Sequence, residues 1–377
     1  MVLERRIKGL LIVFLCLCMI PSALYAATWF NINYTYRKPL TVTASTDLLA
    51  LGYSVAITFD HAALVTAGDS LASGNDVRIV YWNGAANVEL DRILDVNSTW
   101  NSATTKIWFK LQAQISASGN DANYFMYYKN ATAGAPPADG SNVFDFWDDF
   151  SSGTISTAAN KWTIVNGTGF SVVSNQLIGT NTTGRLQSQT GFTPPFLLET
   201  KTQTTSIATN GHQSLGVWTG TSNSLGLLEH NTTAEYYYRN DGSWAGPYSF
   251  TAAGGLLTNW HTARFTVTTA GSNNVTLFLK DLSTNATNTQ TGTNTGVSNY
   301  PISVGYRYDN TFSGQAYNGL WQYILLRKCA ATDASIATVL GTAESSFTGQ
   351  VFSDEGVTNI GAGKIIALAI NGVYNTS

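Results

Sequence analysis

Short runs of alternating apolar and polar residues follow one another along most of the chain, with turn-forming residues between them. In "ARFTVTT", Ala263, Phe265 and Val267 fall on one side of an extended chain and polar residues fall on the other. Such a strand packs its apolar side and turns the other to solvent or a ligand. Further strands are predicted at "LTVTAS", "VRIVYW", "KIWFKLQA", "YFMYY", "LLETKTQ", "VTLFLKD" and "ISVGYRY". This recurrence predicts an all-β fold of sandwiches or barrels.

Helical periodicity is confined to two short stretches, at residues 335–340 and 61–65. We predict a helical turn at each of them and strands or loops elsewhere.

The N-terminus has the pattern of a secretory signal peptide. Arg5, Arg6 and Lys8 precede an apolar run at 10–20, and small or turn residues follow as far as Ala26. The run is too short to span a bilayer. We therefore predict cleavage after residue 26, a secreted or cell-surface protein, and no membrane span. Cys329 is then the one cysteine left, which excludes an internal disulfide.

Pro136 and Pro137 mark a boundary between two β-rich blocks, because proline cannot occupy a central strand. We predict a β-sandwich domain over residues 29–135 and a second sandwich over 144–345. Residues 346–377 read as two strands that open an Ig-like or regulatory-type β-repeat. A piece of that size cannot bury a core of its own, so we expect the chain to be the N-terminal part of a longer protein.

The composition excludes some classes of binding partner. Charged residues make up 11% of the chain and the net charge is −3, whereas soluble domains contain roughly 25% charged residues. There is no basic stripe of the kind that binds nucleic acid or an anionic membrane. Oligomeric state is left open by the sequence.

The first block resembles the bacterial family called domain of unknown function 2341. The resemblance rests on "YRKPLTV" at 36–42, "GYSVAITFD" at 52–60, "GNDVRIVYWNG" at 74–84, "ELDRILDVNSTWNSATTKIWFKL" at 89–111 and "YFMYYKNATA" at 124–133. It implies an architecture and no particular activity.

The second block resembles the concanavalin A-like lectin/glucanase sandwich. The resemblance rests on "FWDDFSSG" at 146–153, "KWTIVNGTGFSVVSNQLIG" at 161–179, "NWHTARFTV" at 259–267 and "GLWQYILLRKC" at 319–329. It implies a jelly roll of two antiparallel sheets in which the concave face of one sheet often holds a glycan.

Catalysis finds little support in these residues. Glucanases of this fold carry two or three acids on one strand, and residues 146–345 contain no such string. The best remaining pair is Glu229 and Glu235, which a hairpin turn at 231–234 would bring diagonally opposite each other. A solvated hairpin tip is the ordinary interpretation of that pair. We lean towards a protein that is not an enzyme.

Asp148 and Asp149 precede a turn, where carboxylates and carbonyl oxygens suit calcium. The competing interpretation is a capped strand start, and we favour it. No cysteine and histidine cluster has zinc spacing.

Aromatic residues cluster between positions 218 and 248, and aromatic faces stack on sugar rings. The candidate ligand-binding residues are Trp218, Tyr236, Tyr238, Arg239, Trp244 and Tyr248. "NDGSWAGPYSF" reads as a loop punctuated by glycine and proline, where a tryptophan either binds a partner or anchors the loop.

The sequence thus predicts a secreted or surface module that binds a glycan or surface polymer, as part of a larger adhesin or cell-wall protein. Two alternatives stay open: a glycoside hydrolase or lyase with divergent acids, and a structural spacer that binds nothing.

Overall fold

The computed structural model of the protein describes residues 27–155, 161–165, 168–182, 184–207, 213–218, 224–229, 235–240, 243–268, 274–293, 299–305, 317–346, 368–370 and 373–375. The predicted signal peptide lies outside these ranges. Within them the chain is dominated by antiparallel strands, with one α-helix, α1 (His61–Thr66), so the all-β fold class is confirmed. No helix in the described part is both long and apolar enough to cross a membrane.

The first block contains strands that match the alternating runs of the sequence. They are β1 (Tyr36–Thr43), β2 (Ser54–Phe59), β3 (Arg78–Trp82), β4 (Asn87–Leu90), β5 (Ile93–Leu94), β6 (Thr105–Lys110) and β7 (Asn120–Tyr128). Strands β2, β6 and β5 form one sheet, and β1, β7, β3 and β4 lie in another. Leu40 and Val42 of β1 pack with Ile107 and Phe109 of β6 in a common core. The first block is therefore a small sandwich.

Helix α1 confirms the helical turn predicted at residues 61–65. The carboxylate of Asp60 accepts a hydrogen bond from the Ala63 amide at 2.8 Å and caps the helix N-terminus. His61, the first residue of α1, is buried, and its Nδ1 accepts a hydrogen bond from the Asn101 amide at 2.8 Å.

The second block supplies most of the strands. They are β8 (Phe146–Asp148), β9 (Trp162–Val165), β10 (Phe170–Val173), β11 (Gln176–Thr182), β12 (Arg185–Phe192), β13 (Phe196–Ile207), β14 (Gln213–Trp218), β15 (Ser224–Glu229), β16 (Glu235–Asn240), β17 (Ser243–Ser249), β18 (His261–Val267), β19 (Val275–Asp281), β20 (Thr287–Gly292), β21 (Tyr300–Gly305) and β22 (Tyr317–Lys328). Short 3-10 turns lie at Gly140–Asn142, Thr251–Ala253 and Asp333–Ser335.

These strands form two large antiparallel sheets that share one core. In the described ranges the eight-stranded sheet has the order β10-β11-β22-β13-β18-β19-β20, with β8 beside β22. The seven-stranded sheet has the order β17-β16-β15-β14-β21-β12-β9. Ala263, Phe265 and Val267 of β18 face the core, as their alternation predicted. The two sheets around one core match the sandwich architecture expected for this block.

Two strands after the second sandwich return to the first block. They are β23 (Ala337–Leu340) and β24 (Glu344–Ser345). Both pair with β1: Leu40 lies opposite Leu340, and Tyr36 lies opposite Ser345. The sequence predicts a second domain that extends to residue 345, but these strands complete a six-stranded sheet of the first block. The larger sandwich is thus inserted between β7 and β23.

The helical turn predicted at residues 335–340 is wrong for most of its length. A 3-10 turn ends at Ser335, and β23 begins at Ala337. The edge of β1 offers hydrogen-bonding groups that a helix would leave unpaired, and the β-branched Thr338 and Val339 suit a strand. The Thr338 hydroxyl also donates to the Ala56 carbonyl oxygen at 2.7 Å, which joins β23 to β2.

The two blocks meet through a small apolar cluster. Phe144, Trp147 and Leu325 of the second block pack against Trp108 and Ile93 of the first. Gly140 sits where a Cβ would come within 2.1 Å of the Trp147 ring, so the chain can cross there only without a side chain.

Of the predicted C-terminal repeat, the structure describes β25 (Leu368–Ile370) and β26 (Val373–Asn375), which pair antiparallel. The remainder of residues 347–377 lies outside the described residues.

Candidate functional site

The predicted aromatic residues fall on strands at one side of the seven-stranded sheet. Trp218 ends β14, Tyr238 and Arg239 lie in β16, and Trp244 and Tyr248 lie in β17. The side chains of Trp218, Tyr238, Arg239 and Trp244 lie outside the described residues, so their contact with a ligand stays a prediction.

The segment expected to be a loop is partly a strand. Strand β17 pairs with β16, and the register shifts between Tyr236 and Tyr238. Pro247 is accommodated because β17 is the outermost strand of the sheet in the described ranges, and an edge strand does not need every amide for pairing.

Tyr236 belongs to the core of the second sandwich. It is fully buried, its hydroxyl donates to Asn288 Oδ1 at 2.8 Å, and its ring centroid lies 5.5 Å from that of Tyr248. Burial raises the pKa of Tyr236 to about 12. Tyr248 is partly buried and packs against the same core. Both rings contribute to packing, and their contact with a ligand stays a prediction.

A row of small and polar residues crosses the seven-stranded sheet on the face turned away from the core. Thr163 pairs with Gln187, Gln187 with Ser303, Ser303 with Gly216, and Gly216 with Gly226. Their neighbours Leu186, Leu215, Leu225, Ile302 and Val304 belong to the core. Because strand residues alternate between faces, the row lies on the opposite face. We call these five residues the outer row.

The outer row continues in register through two of the predicted binding residues. Gly226 pairs with Arg239, and Arg239 pairs with Trp244. Two adjacent glycines therefore separate the Gln187 and Ser303 positions from the Arg239 and Trp244 positions.

The glycines leave a flat strip of backbone in the middle of this face. A Cβ on Gly216 would lie 1.9 Å from the Leu225 carbonyl oxygen, so strand packing alone requires glycine there. Gly216 and Gly226 are both buried, so this strip of backbone is not open to solvent.

Polar groups stand beside the glycine strip. An Arg185 guanidinium nitrogen, Nη2, donates to Gln187 Oε1 at 3.2 Å, and the Arg185 side chain is buried. The Ser303 hydroxyl is buried and has no hydrogen-bond partner among the described residues. The outer row and Arg185 thus bring together a cation, an amide and a buried hydroxyl beside the two glycines.

Glu229 does not lie at a solvated hairpin tip. Its side chain is 1% exposed, and its carboxylate lies 3.0 Å from His261 Nε2 and also accepts a hydrogen bond from Thr204 Oγ1. His261 Nδ1 lies 2.9 Å from the Asn259 carbonyl oxygen. Burial alone would lower the pKa of His261, but the charge and hydrogen bond of Glu229 raise the pKa above its usual value. The pair joins the two sheets inside the core.

The backbones of Glu229 and Glu235 lie diagonally across the β15–β16 pair, as predicted. Glu229 pairs with Tyr236, and the backbone of Glu235 pairs with Ser249. The Glu235 side chain, His230 and the turn at 231–234 lie outside the described residues. With its carboxylate sealed between His261 and Thr204, Glu229 cannot reach a substrate in this arrangement.

The carboxylate of Asp148 caps the turn that follows β8. Its carboxylate accepts hydrogen bonds from the Phe150 amide at 2.9 Å and from Trp162 Nε1 at 2.7 Å. Asp149 accepts hydrogen bonds from the Ser151 amide and hydroxyl at 3.1 and 2.7 Å. Calcium binding by these two residues stays a prediction.

The aromatic and acidic residues of the sequence do not indicate the outer row. A signal was present, because "SLGVW" and "SLGLLE" each place a glycine between core-facing residues of a strand. Their alignment depends on strand register, which the sequence does not state.

The chain is similar to several solved structures. One is a glycosyl hydrolase family protein from Mycobacterium fortuitum, with 14% identity, a TM-score of 0.34, and 48% of this chain and 99% of that chain covered. Another is an endo-beta-1,3-glucanase from Pyrococcus furiosus, with 11% identity, a TM-score of 0.35, and coverages of 53% and 95%. A third is arcelin-5, a lectin-like defence protein from Phaseolus vulgaris, with 9% identity, a TM-score of 0.34, and coverages of 48% and 97%.

No curated protein matches the chain. A family model matches residues 73–165, from the stretch before β3 to the end of β9. The match thus runs past the boundary predicted at Pro136 and Pro137 and includes the first strands of the second sandwich. The predicted resemblance is confirmed for this segment: residues 73–165 match the domain of unknown function DUF2341.

Proposed function

We propose that the protein binds a carbohydrate polymer on the outer face of the seven-stranded sheet. The observation that carries this proposal is the outer row, in which a glycine strip lies beside polar groups. A sugar ring needs close approach to a flat surface and several hydrogen-bonding groups for its hydroxyls. The low charge of the chain suits a ligand that is recognised by hydrogen bonds and stacking.

The setting that we propose is extracellular. The predicted signal peptide supports a secreted or surface-held module of a larger adhesin or cell-wall protein. Calcium at Asp148 and Asp149 belongs to the same proposal as an optional structural ion.

A glycan array probed with the purified full chain tests this function. We expect binding to at least one glycan, and Gln187→Ala should weaken it about three- to tenfold, since a hydrogen bond contributes roughly 0.5–1.5 kcal/mol. Trp244→Ala and Arg239→Ala should weaken it as well. Gln112→Ala, an exposed glutamine of the first block, is the matched control and should change nothing.

Repeating the array with a chelator tests calcium, because loss of binding only with the chelator would implicate the ion. A blank array from a well-folded chain would favour the structural spacer. Release of reducing sugar that Glu235→Gln abolishes would favour the hydrolase.

A further inference from the structure

Five Asn-Gly pairs occur along the chain, and two of them lie within the described residues. In such a pair the side-chain amide carbon of the asparagine stands next to a backbone N–H that no side chain shields. Asn83 and Gly84 lie in the turn between β3 and β4, whereas Asn318 and Gly319 lie inside β22. The same dipeptide therefore occurs in two different surroundings.

The turn between β3 and β4 is open to solvent. Its four residues, 83–86, are all exposed, and the flanking strands pair as far as Trp82 and Asn87. Gly84 has a φ of 91°, and a Cβ placed on it would have no atom within 4 Å. Neither a neighbouring side chain nor neighbouring backbone hinders the Gly84 amide on that side.

Hydrogen bonds hold the side chain of Asn83 in one orientation. Its Oδ1 accepts from the amides of Ala85 at 2.9 Å and Ala86 at 2.8 Å, and its own backbone amide donates to the Ala86 carbonyl oxygen at 3.1 Å. Asparagine often makes turns of this kind. The two donors also polarise the side-chain carbonyl, because they point at the oxygen on which negative charge develops during attack at Cγ. This is the arrangement of a small oxyanion hole.

We propose that Asn83 deamidates spontaneously through a succinimide, so that the β3–β4 turn is a covalent modification site. The Gly84 amide loses its proton to solvent, and its nitrogen attacks Cγ of Asn83. The Cγ–Nδ2 bond breaks, and ammonia leaves with a proton from solvent. Water then opens the ring at Cγ to give aspartate, or at the backbone carbonyl carbon to give isoaspartate. Asparagine and water are thus converted to the acid and ammonia, with no change of oxidation state.

The fold accommodates the aspartate product. Its carboxylate would accept the same two amide hydrogen bonds, which are stronger when the acceptor carries a charge. Isoaspartate instead adds a methylene group to the main chain of a four-residue turn and would displace those bonds. Either product places a negative charge at an exposed tip of the first block.

Asn318 and Gly319 should stay intact in the folded chain. Asn318 lies opposite Ser206, and Gly319 lies opposite both Gly179 and Thr204, so this part of β22 has a strand on each side. The ladder fixes the Gly319 amide, which then cannot turn towards the side chain of the residue before it. The second pair is therefore an internal control for the first.

Incubation of the purified full chain in mildly alkaline buffer, followed by peptide mass spectrometry, tests the proposal. We expect the peptide that contains Asn83 to gain the mass difference between NH₂ and OH, as aspartate and isoaspartate forms that separate on chromatography. The peptide that contains Asn318 should stay unchanged. In urea both peptides should change, because the strand no longer protects Asn318. A mildly acidic buffer should slow the reaction, since the Gly84 amide then loses its proton less readily.

Three variants locate the chemistry. Asn83→Gln keeps a side-chain amide but must close a larger ring, so the change at this position should be lost. Gly84→Ala places a methyl group beside the attacking nitrogen and should slow the reaction several-fold. Val88→Thr, an exposed position of β4 that touches neither reacting atom, is the matched control and should leave the rate unchanged.

Two outcomes would overturn the proposal. In the first, Asn83 stays intact in the folded chain and deamidates only in urea, which would mean that the turn protects it. In the second, Asn83 and Asn318 deamidate at equal rates in the folded chain, which would mean that the turn contributes nothing. Glycan binding at the outer row plays no part in either outcome.

Discussion

Glu229 and His261 come from opposite sheets and meet in a layer that is otherwise filled by apolar side chains. A buried carboxylate needs a partner, since an isolated ion in the core is expensive. Here the imidazole supplies the partner, and the Thr204 hydroxyl supplies a further hydrogen bond. The pair therefore fixes the position of β15 against β18.

This pair predicts an unusual titration. The pKa of His261 is raised above its usual value, whereas burial lowers the pKa of His61 in the first block. We expect NMR of the imidazole resonances to show that His261 titrates above pH 6.5 and His61 below it, where roughly 6.5 is the ordinary pKa of histidine. In Glu229→Gln the pKa of His261 should fall, because the charge of Glu229 that raises it is then lost while burial still lowers it.

The raised pKa of His261 should also make the stability of the fold depend on pH. A raised pKa in the folded state means that the contribution of His261 is complete below roughly pH 6.5 and is lost as pH rises through its folded pKa. Removing the partner by Glu229→Ala should cost about 3–5 kcal/mol of unfolding free energy in urea. An unchanged His261 titration in Glu229→Gln would contradict the pairing.

For single residues, the sequence indicates the chemical character of a side chain but not the residues that it contacts. It placed Ala263, Phe265 and Val267 correctly in the core. It could not place Glu229, because its partners Thr204 and His261 reach it only through the packing of two sheets.

Strand β23 lies on one side of β1 and β7 lies on the other, so β1 is an inner strand of its sheet. Without β23 the edge of β1 would be open, and an open edge exchanges its amide protons quickly. In a chain that ends at residue 336 we expect faster hydrogen exchange across β1, measured by mass spectrometry.

Strand β19, inside the second sandwich between β18 and β20, provides the internal control and should keep its protection. A milder variant, Thr338→Val, removes only the hydrogen bond to Ala56 and should raise exchange at β2 and β23 modestly. Equal protection of β1 in both chain lengths would refute this role of β23.

The positions of the strands could be predicted from the sequence more readily than the strands with which they pair. Each of the eight alternating runs overlaps a strand in its described residues, and the run at 275–281 does so over its full length. The return of β23 and β24 to the first block was missed, since a two- or four-residue strand carries little pattern and its partner lies at the other end of the chain. The outer row could not be predicted for a related reason, because it depends on the register of five strands.

The two sandwiches are held together by a network around Asp333. Both terminal nitrogens of Arg327 donate to its carboxylate at 2.7 Å, and the Tyr53 hydroxyl of the first block donates to it as well. Burial alone would raise the pKa of Asp333, but hydrogen bonds and charge from Arg327 lower it. The linkage therefore persists at neutral pH and weakens on acidification.

Asp333→Ala would leave the buried Arg327 without its carboxylate. We expect the free energy of unfolding to fall by about 3 kcal/mol, measured by urea denaturation of the full chain. Asp69→Ala, which breaks the more exposed pair with Lys129, should cost much less, because solvent screens that pair. Equal costs for the two variants would argue against a structural connection at Asp333.

The pairing of Tyr36 with Ser345 has a mechanical consequence. Since β1 and β24 are antiparallel, the chain segments before Tyr36 and after Ser345 leave the same end of the strand pair. Tension through those segments would pull the two strands apart sideways and load their hydrogen bonds one at a time, beginning at Tyr36. The strand pair would open like a zipper, and the inserted sandwich would bear no force until it had done so.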